Sequence, residues 1–190
     1  MAKFEPCFDK VILVEGGYKL TNNSGDRGGQ TYAGISRIKN QSWPGWEKVD
    51  KREFDDALKQ LVKTFYREEF WNKIQGDIIG FQSVAYSLFE FGVNTGIGTA
   101  IRRCQKIIGV ETDGVFGDKT LKALNKYVTD KKDEEIFILR LGLMKISRHN
   151  YIAQNDPRRE HDMLVSDMKH ICGWINRDLG SMDDWNIGYP

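Results

Sequence analysis

The sequence predicts a mainly α fold of the α+β type, a helical bundle with a small β-hairpin-like loop flanking a cleft. Two observations carry that expectation. Apolar residues recur at i, i+3 and i+4 through most of the 190 residues, as amphipathic helices require. One stretch, Lys19 to Ser36, breaks the pattern. There Asn22-Asn23-Ser24-Gly25-Asp26 and Gly28-Gly29 supply turn chemistry between short segments rich in Tyr, Thr and Ile.

The first helix carries Phe8, Val11 and Ile12 as its apolar stripe, and Glu15 falls at i+7 of that stripe. Gly16-Gly17 closes the helix, because glycine readily takes the left-handed conformation of a last turn. A carboxyl on an apolar face is partly desolvated, and the negative end of the helix dipole lies beside it. Both raise its pKa, which suits a general acid. A local cap or ion pair is the plainer reading of a lone glutamate. Behind it, segments around Tyr18–Leu20 and Thr31–Ile35 are expected as small strands of a hairpin that brings Asp26 and Thr31 near Glu15. An acid on a helix end, a second acid and a water-positioning hydroxyl make a hydrolase layout. Asp26 is equally an Asx-turn residue, and Thr31 equally a plain strand residue.

Ser42-Trp43-Pro44-Gly45-Trp46 is expected as a loop. The faces of Trp43 and Trp46 suit a sugar ring, or else they close the core. A helix is expected from Asp50 to about Trp71, with Phe54, Ala57, Leu58, Leu61, Val62 and Phe65 inward. Another spans about Ile78 to Gly92 through Val84, Ala85, Leu88 and Phe89. Glu90 lies out of phase, as a solvated or structural acid. Asn94-Thr95-Gly96 is expected as a break, with Asn94 a helix cap. A helix from Gly98 to Ile108 leads to the turn Val110–Asp118. Asp118 is expected to cap a helix running from Lys119 to about Lys126. Lys131-Lys132-Asp133-Glu134-Glu135 reads as a solvated helix start, continuing to about Ala153 through Ile136, Phe137, Leu139, Leu143, Met144 and Ile146. After Pro157 a last helix covers Glu160 to Leu179, where Trp174 and Arg177 lie one turn apart.

Composition excludes several classes of function. Forty per cent hydrophobic and 12% aromatic residues describe an ordinary globular chain. No apolar run approaches the roughly 18–20 residues of a membrane span. A net charge of +1, from 28 basic and 27 acidic residues, gives no case for nucleic acid. Cys7, Cys104 and Cys172 are expected as buried free thiols, and neither they nor the three histidines show metal-ligand spacing. We therefore expect no metal and no cofactor.

The run Glu15-Gly16-Gly17-Tyr18, followed by Asp26-Arg27-Gly28-Gly29-Gln30-Thr31 and Gly34-Ile35, resembles the start of the N-acetylmuramidases of glycoside hydrolase family 108. These are phage and bacterial enzymes, some labelled secretion activator proteins. The resemblance continues through Phe65-Tyr66-Arg67, Phe70-Trp71, Leu88 to Gly96, Asp113 to Leu121 and Gly173 to Arg177. It implies a lysozyme-like fold, with Glu15 as catalytic acid and Asp26 and Thr31 as its partners. It implies Tyr18, Asn94 and Trp46 as substrate-binding candidates. Asp113, Gly117 and Thr120 would belong to a peptidoglycan-binding-like turn, which otherwise reads simply as a well-made turn. Glu90 stands where the family leads one to expect Asp, which puts a fixed role for that acid in question.

The implied domains are a glycosidase region over 8–92, a helical peptidoglycan-binding-like region over 93–179 and a tail over 180–190. The implied activity is cleavage of the β-1,4 bond between N-acetylmuramic acid and N-acetylglucosamine. A second carboxylate about 6.5–9.5 Å from Glu15 would mean inversion, and about 5–5.5 Å retention. Two alternatives stand beside it: a lytic transglycosylase using Glu15 alone, and a wall-binding or secretion-associated module without catalysis. The N-terminus, Met1 to Cys7, lacks the apolar core of a secretory signal. The expected setting is that of an endolysin of a phage or prophage. It would be made in the cytoplasm, released with the help of a holin, and bacteriolytic as a monomer on peptidoglycan.

Overall fold

A computed structural model describes residues 1–22 and 29–154. Asp26, the helix expected at 160–179, Trp174, Arg177, Cys172 and the tail lie outside the described residues. The chain forms two compact units, Lys3–Asp77, and Met1–Ala2 with Ile78 onward.

In the first unit, helix α1 (Phe4–Val14) buries Phe4, Cys7, Phe8, Val11 and Ile12, extending the expected stripe one turn toward the N-terminus. Three short strands follow: β1 (Leu20–Asn22), β2 (Gln30–Tyr32) and β3 (Ile35–Ser36). They form an antiparallel sheet in the order β1-β2-β3, with Thr21 opposite Thr31 and Tyr32 opposite Ile35. The link between β2 and β3 is Ala33-Gly34 alone, with φ of +49° and +78°. Two central residues at positive φ make a type I′ turn, whose twist matches that of the strands it joins.

Two expectations fail in the stretch that follows. Trp46 lies not in a loop but in helix α2 (Gly45–Asp50). Asp50 ends that helix rather than starting the next, and accepts two hydrogen bonds of 2.6 Å from the Arg37 guanidinium. Helix α3 (Asp56–Tyr66) is started by Asp55, whose carboxylate accepts from the Leu58 N–H at 2.8 Å. Both aspartates have the right chemistry for a cap, and the nearby cation selects between them. Arg37 draws Asp50 away, whereas Lys48 bridges to Asp55 without blocking its cap. Phe54 therefore precedes the helix, and its ring stacks on Tyr32 with centroids 5.7 Å apart. After Tyr66 the helix widens into a π turn (Arg67–Trp71) and then tightens into 3₁₀ turns at Asn72–Ile74 and Gly76–Ile78.

In the second unit, α4 (Gln82–Thr95) and α5 (Ile97–Ile108) are separated by Gly96, at φ +89°. The break is thus Gly96 alone, while Asn94 and Thr95 remain helical. Helix α6 (Asp118–Tyr127) is preceded by Gly117 as N-cap. Asp118 sits one residue inside the helix, where its charge meets the positive end of the dipole. Helix α7 (Lys131–Gln154) buries Glu134, Phe137, Ile138, Leu141 and Lys145. Leu139 and Leu143, expected inward, are exposed, and Glu134, expected in water, is buried. Glu90 is also buried, at 3% exposure, as the partner of Lys145, so the solvated reading of that acid is wrong. Glu134 and Lys145 occupy core positions of α7, so its buried face does not coincide with the stripe that its apolar residues trace. Cys7 and Cys104 are buried free thiols, and burial pushes the Cys104 thiol up to about 12. Among the described residues no helix is long and apolar enough to cross a membrane.

Candidate active site

Glu15 is the first residue beyond α1, in the C-cap position. The Gly17 N–H donates to Ile12 O at 2.8 Å and the Gly16 N–H to Leu13 O at 3.1 Å. This pair of bonds is a Schellman closure, and it needs a residue at positive φ in the place of Gly16, which has φ +89°. The two glycines therefore turn the chain away sharply and leave Glu15 half-buried at the end of the apolar face.

The Ala33-Gly34 turn meets Glu15. A Cβ at Gly34 would stand 3.2 Å from Glu15 Oε2, 3.3 Å from Glu15 Cβ and 2.4 Å from the Tyr66 hydroxyl oxygen. Tyr66, the last residue of α3, donates its hydroxyl to Ala33 O at 2.9 Å. Its ring packs edge-on against Phe8 of α1, with centroids 5.6 Å apart. Burial, and after it the charges of Glu15 and Tyr18, raise the Tyr66 phenol far above its ordinary value, so it keeps its proton. Glu15 is thus held by its own helix end, by a turn with no side chain at Gly34, and by a tyrosine from a third element.

Thr31 sits in the central strand, half-buried, and its hydroxyl donates to Gly29 O at 3.4 Å. Tyr18 is 37% exposed, with the Lys59 ammonium 6.0 Å from its ring centre. Burial first, and then Asp9, raise its phenol pKa. Trp46 is a correction among the substrate-binding candidates. It is 4% exposed, its indole N–H donates to Asn40 O at 2.7 Å, and the Arg37 guanidinium lies 5.0 Å over its ring. A ring enclosed in this way packs the α2 junction and presents no face to a sugar. Trp43 is also buried, bordering a groove of about 350 Å³ between the 39–44 segment and α3.

In the second unit the amide of Asn94 donates to Glu90 Oε1 at 2.5 Å and to Glu90 O at 3.1 Å. Glu90 Oε2 accepts from the buried Lys145 ammonium. The Asn94 NH₂ group is therefore committed within the helix. The turn around Asp113 is built on a residue that sequence reading passed over, Gln105, which is 1% exposed. Its amide donates to Asp113 Oδ1 at 2.7 Å, Val115 O at 3.0 Å and Thr120 Oγ1 at 3.2 Å, and it accepts from the Gly114 N–H at 2.9 Å. Asp113 and Thr120 so have evident structural work, and Gly117 caps α6. Among the described residues no group of His, Cys, Asp and Glu is arranged to hold a metal ion.

Residues 8–96 match the family model for glycosyl hydrolase 108, and residues 99–179 match that of a predicted peptidoglycan domain. Over residues 8–96 the chain is thus similar to glycoside hydrolase family 108, and over the residues that follow to a peptidoglycan domain. It is a glycoside hydrolase acting on peptidoglycan, with a mainly α, lysozyme-like fold. A solved structure, SagA of Brucella abortus, shares that fold with a TM-score of 0.61 and 24% identity over 93% of this chain and 94% of its own. No curated protein matches. Within the region matched by the glycosyl hydrolase 108 model, Tyr66, Ala33 and Gly34 are the neighbours of Glu15 to which sequence reading assigned no role. Tyr66 and Gly34 both fall in segments that resemble the family, and that was the available signal. Nothing in periodicity distinguishes Tyr66 from the other aromatic residues of α3.

Proposed function

We propose that the enzyme is an N-acetylmuramidase in which Glu15 protonates the glycosidic oxygen of the β-1,4 bond between N-acetylmuramic acid and N-acetylglucosamine. The observation that carries this reading is the setting of Glu15. It is a carboxyl at the negative end of a helix, half-buried against the Ala33-Gly34 turn. Each of these features favours the neutral carboxyl that a general acid needs at the start of the reaction. As the bond breaks, the sugar gains oxocarbenium character. Asp26 then stabilises that charge or activates water, and Thr31 on the central strand orients the water. Tyr18, exposed beside the Glu15 turn, contributes to substrate binding. In this reading the enzyme works as a monomer on the wall after release from the cytoplasm.

The test is release of reducing ends from purified peptidoglycan by wild type, Glu15→Gln and Asp26→Asn, with products identified by mass. Wild type should yield reducing N-acetylmuramic acid ends, and folded Glu15→Gln should lose at least about 100-fold in rate. An anhydro-sugar product would replace this mechanism by a transglycosylase, and binding without any release would replace it by a wall-binding module.

A further inference from the structure

Resting on Glu15 as the general acid, we propose that Tyr66 is a positioning residue that keeps this acid protonated by acting on it as a hydrogen-bond acceptor. The argument follows the single proton of the phenol. It is donated to Ala33 O at 2.9 Å in a buried bond. A hydroxyl whose proton is spent can offer only lone pairs to its other neighbours. Its oxygen and Glu15 Oε2 crowd the same point, at 2.4 Å and 3.2 Å from the place of a Gly34 Cβ. Lone pairs beside a carboxyl disfavour the ionised form and accept from the protonated one, which raises the carboxyl's pKa.

Three features hold the arrangement in place. Ala33 adopts φ +49°, a conformation that a non-glycine residue rarely takes, and its carbonyl is thereby aimed at Tyr66. Gly34 leaves room for the phenol oxygen next to Glu15. The helix opens into its π turn at Arg67, immediately after Tyr66, and such local widenings recur at functional sites. Among the described residues, the titratable groups at this place include Glu15 at the end of α1, Tyr18 from the link to β1 and Tyr66 from α3. Tyr32 and Lys59 lie beyond Tyr18. Asp26 lies outside the described residues and enters the test as its own arm.

The test is the pH profile of reducing-end release by Tyr66→Phe, Ala33→Gly, Asp26→Asn and Glu15→Gln. Losing the acceptor lowers the pKa of Glu15, so the basic limb of kcat against pH should move down by about one unit. At neutral pH kcat should fall roughly tenfold with KM almost unchanged. Ala33→Gly loosens the turn that aims the Ala33 carbonyl at Tyr66, so the limb should move in the same direction by a smaller amount. Replacing Tyr66 by 3-fluorotyrosine keeps the ring and hydroxyl while weakening the acceptor. It should move the limb in the same direction, and it serves if Tyr66→Phe folds poorly. A basic limb that stays in place in both Tyr66 variants, or activity that falls equally at every pH, overturns the proposal. An Asp26→Asn profile carrying the same shift overturns it too, because the limb then belongs to Asp26. Activity retained by Glu15→Gln would instead sink the general-acid reading itself.

Discussion

Replacing Gly34 by alanine adds one methyl group at a point where three elements meet. The first cost is conformational. Gly34 has φ +78°, and an L-residue there costs about 1–2 kcal/mol. The second is steric. The new Cβ would stand 2.4 Å from the Tyr66 oxygen and 3.3 Å from Glu15 Cβ. Tyr66 is the last residue of α3 and its ring is packed against Phe8, so its hydroxyl has to leave Ala33 O. An unsatisfied buried carbonyl adds about 1–3 kcal/mol. The sum is about 2–5 kcal/mol, which lowers the melting temperature of a chain this size by roughly 4–20 °C but leaves it folded in the cold. Activity should suffer more. Displacing a catalytic group by about 1 Å costs on the order of 100-fold. Calorimetry and wall lysis at 20 °C measure the two effects separately. Gly17→Ala is the control, since Gly17 has φ +76° with nothing within 4 Å of its Cβ position. It should show the conformational cost alone. If Gly34→Ala melts no lower than Gly17→Ala and lyses walls within threefold of wild type, the crowding argument is refuted.

Other perturbations separate structural from chemical roles. Lys145→Met leaves the buried Glu90 without its ammonium partner, and should destabilise by about 3–5 kcal/mol in chemical denaturation, with Glu90→Gln in the same chain restoring most of it. Trp46→Ala should cost about 3–5 kcal/mol of stability yet leave KM for peptidoglycan unchanged in the folded protein; a raised KM would return Trp46 to the substrate. The Val115 N–H, and then the Gln105 amide, hold the Asp113 carboxyl below its usual pKa. Its contribution is therefore complete above about pH 4 and is lost as pH falls through the lowered value. Asp113→Asn should flatten the acid side of a melting-temperature profile, and an unchanged profile would remove the turn from the acid response.

Much of the architecture follows from periodicity. The α1 stripe, the α5 stripe through Ala100, Ile101 and Cys104, and the turn between α5 and α6 stand where their residues predict. The failures share a cause. Asp50 and Asp55 are both sound helix starters, and the placement of Arg37 decided which of them capped α3. Charged side chains such as Glu90, Glu134 and Lys145 ordinarily face water. Two of them are buried as an ion pair, whose partners lie 55 positions apart. Trp46 is flat and amphipathic whether it meets sugar or Asn40 O, and residue type alone cannot separate the two.

The setting of Glu15 divides in the same way. Sequence by itself determined that a carboxylate follows an apolar helical face and that two glycines end the helix behind it. Periodicity and positive-φ preference are local properties of consecutive residues. Only the tertiary structure decided what lies against that carboxylate. The Ala33-Gly34 turn comes 18 residues later and Tyr66 a further 33 after Ala33. They meet Glu15 because the short sheet and α3 pack on α1, and a hydrogen bond across that distance leaves no mark on the residues between its ends.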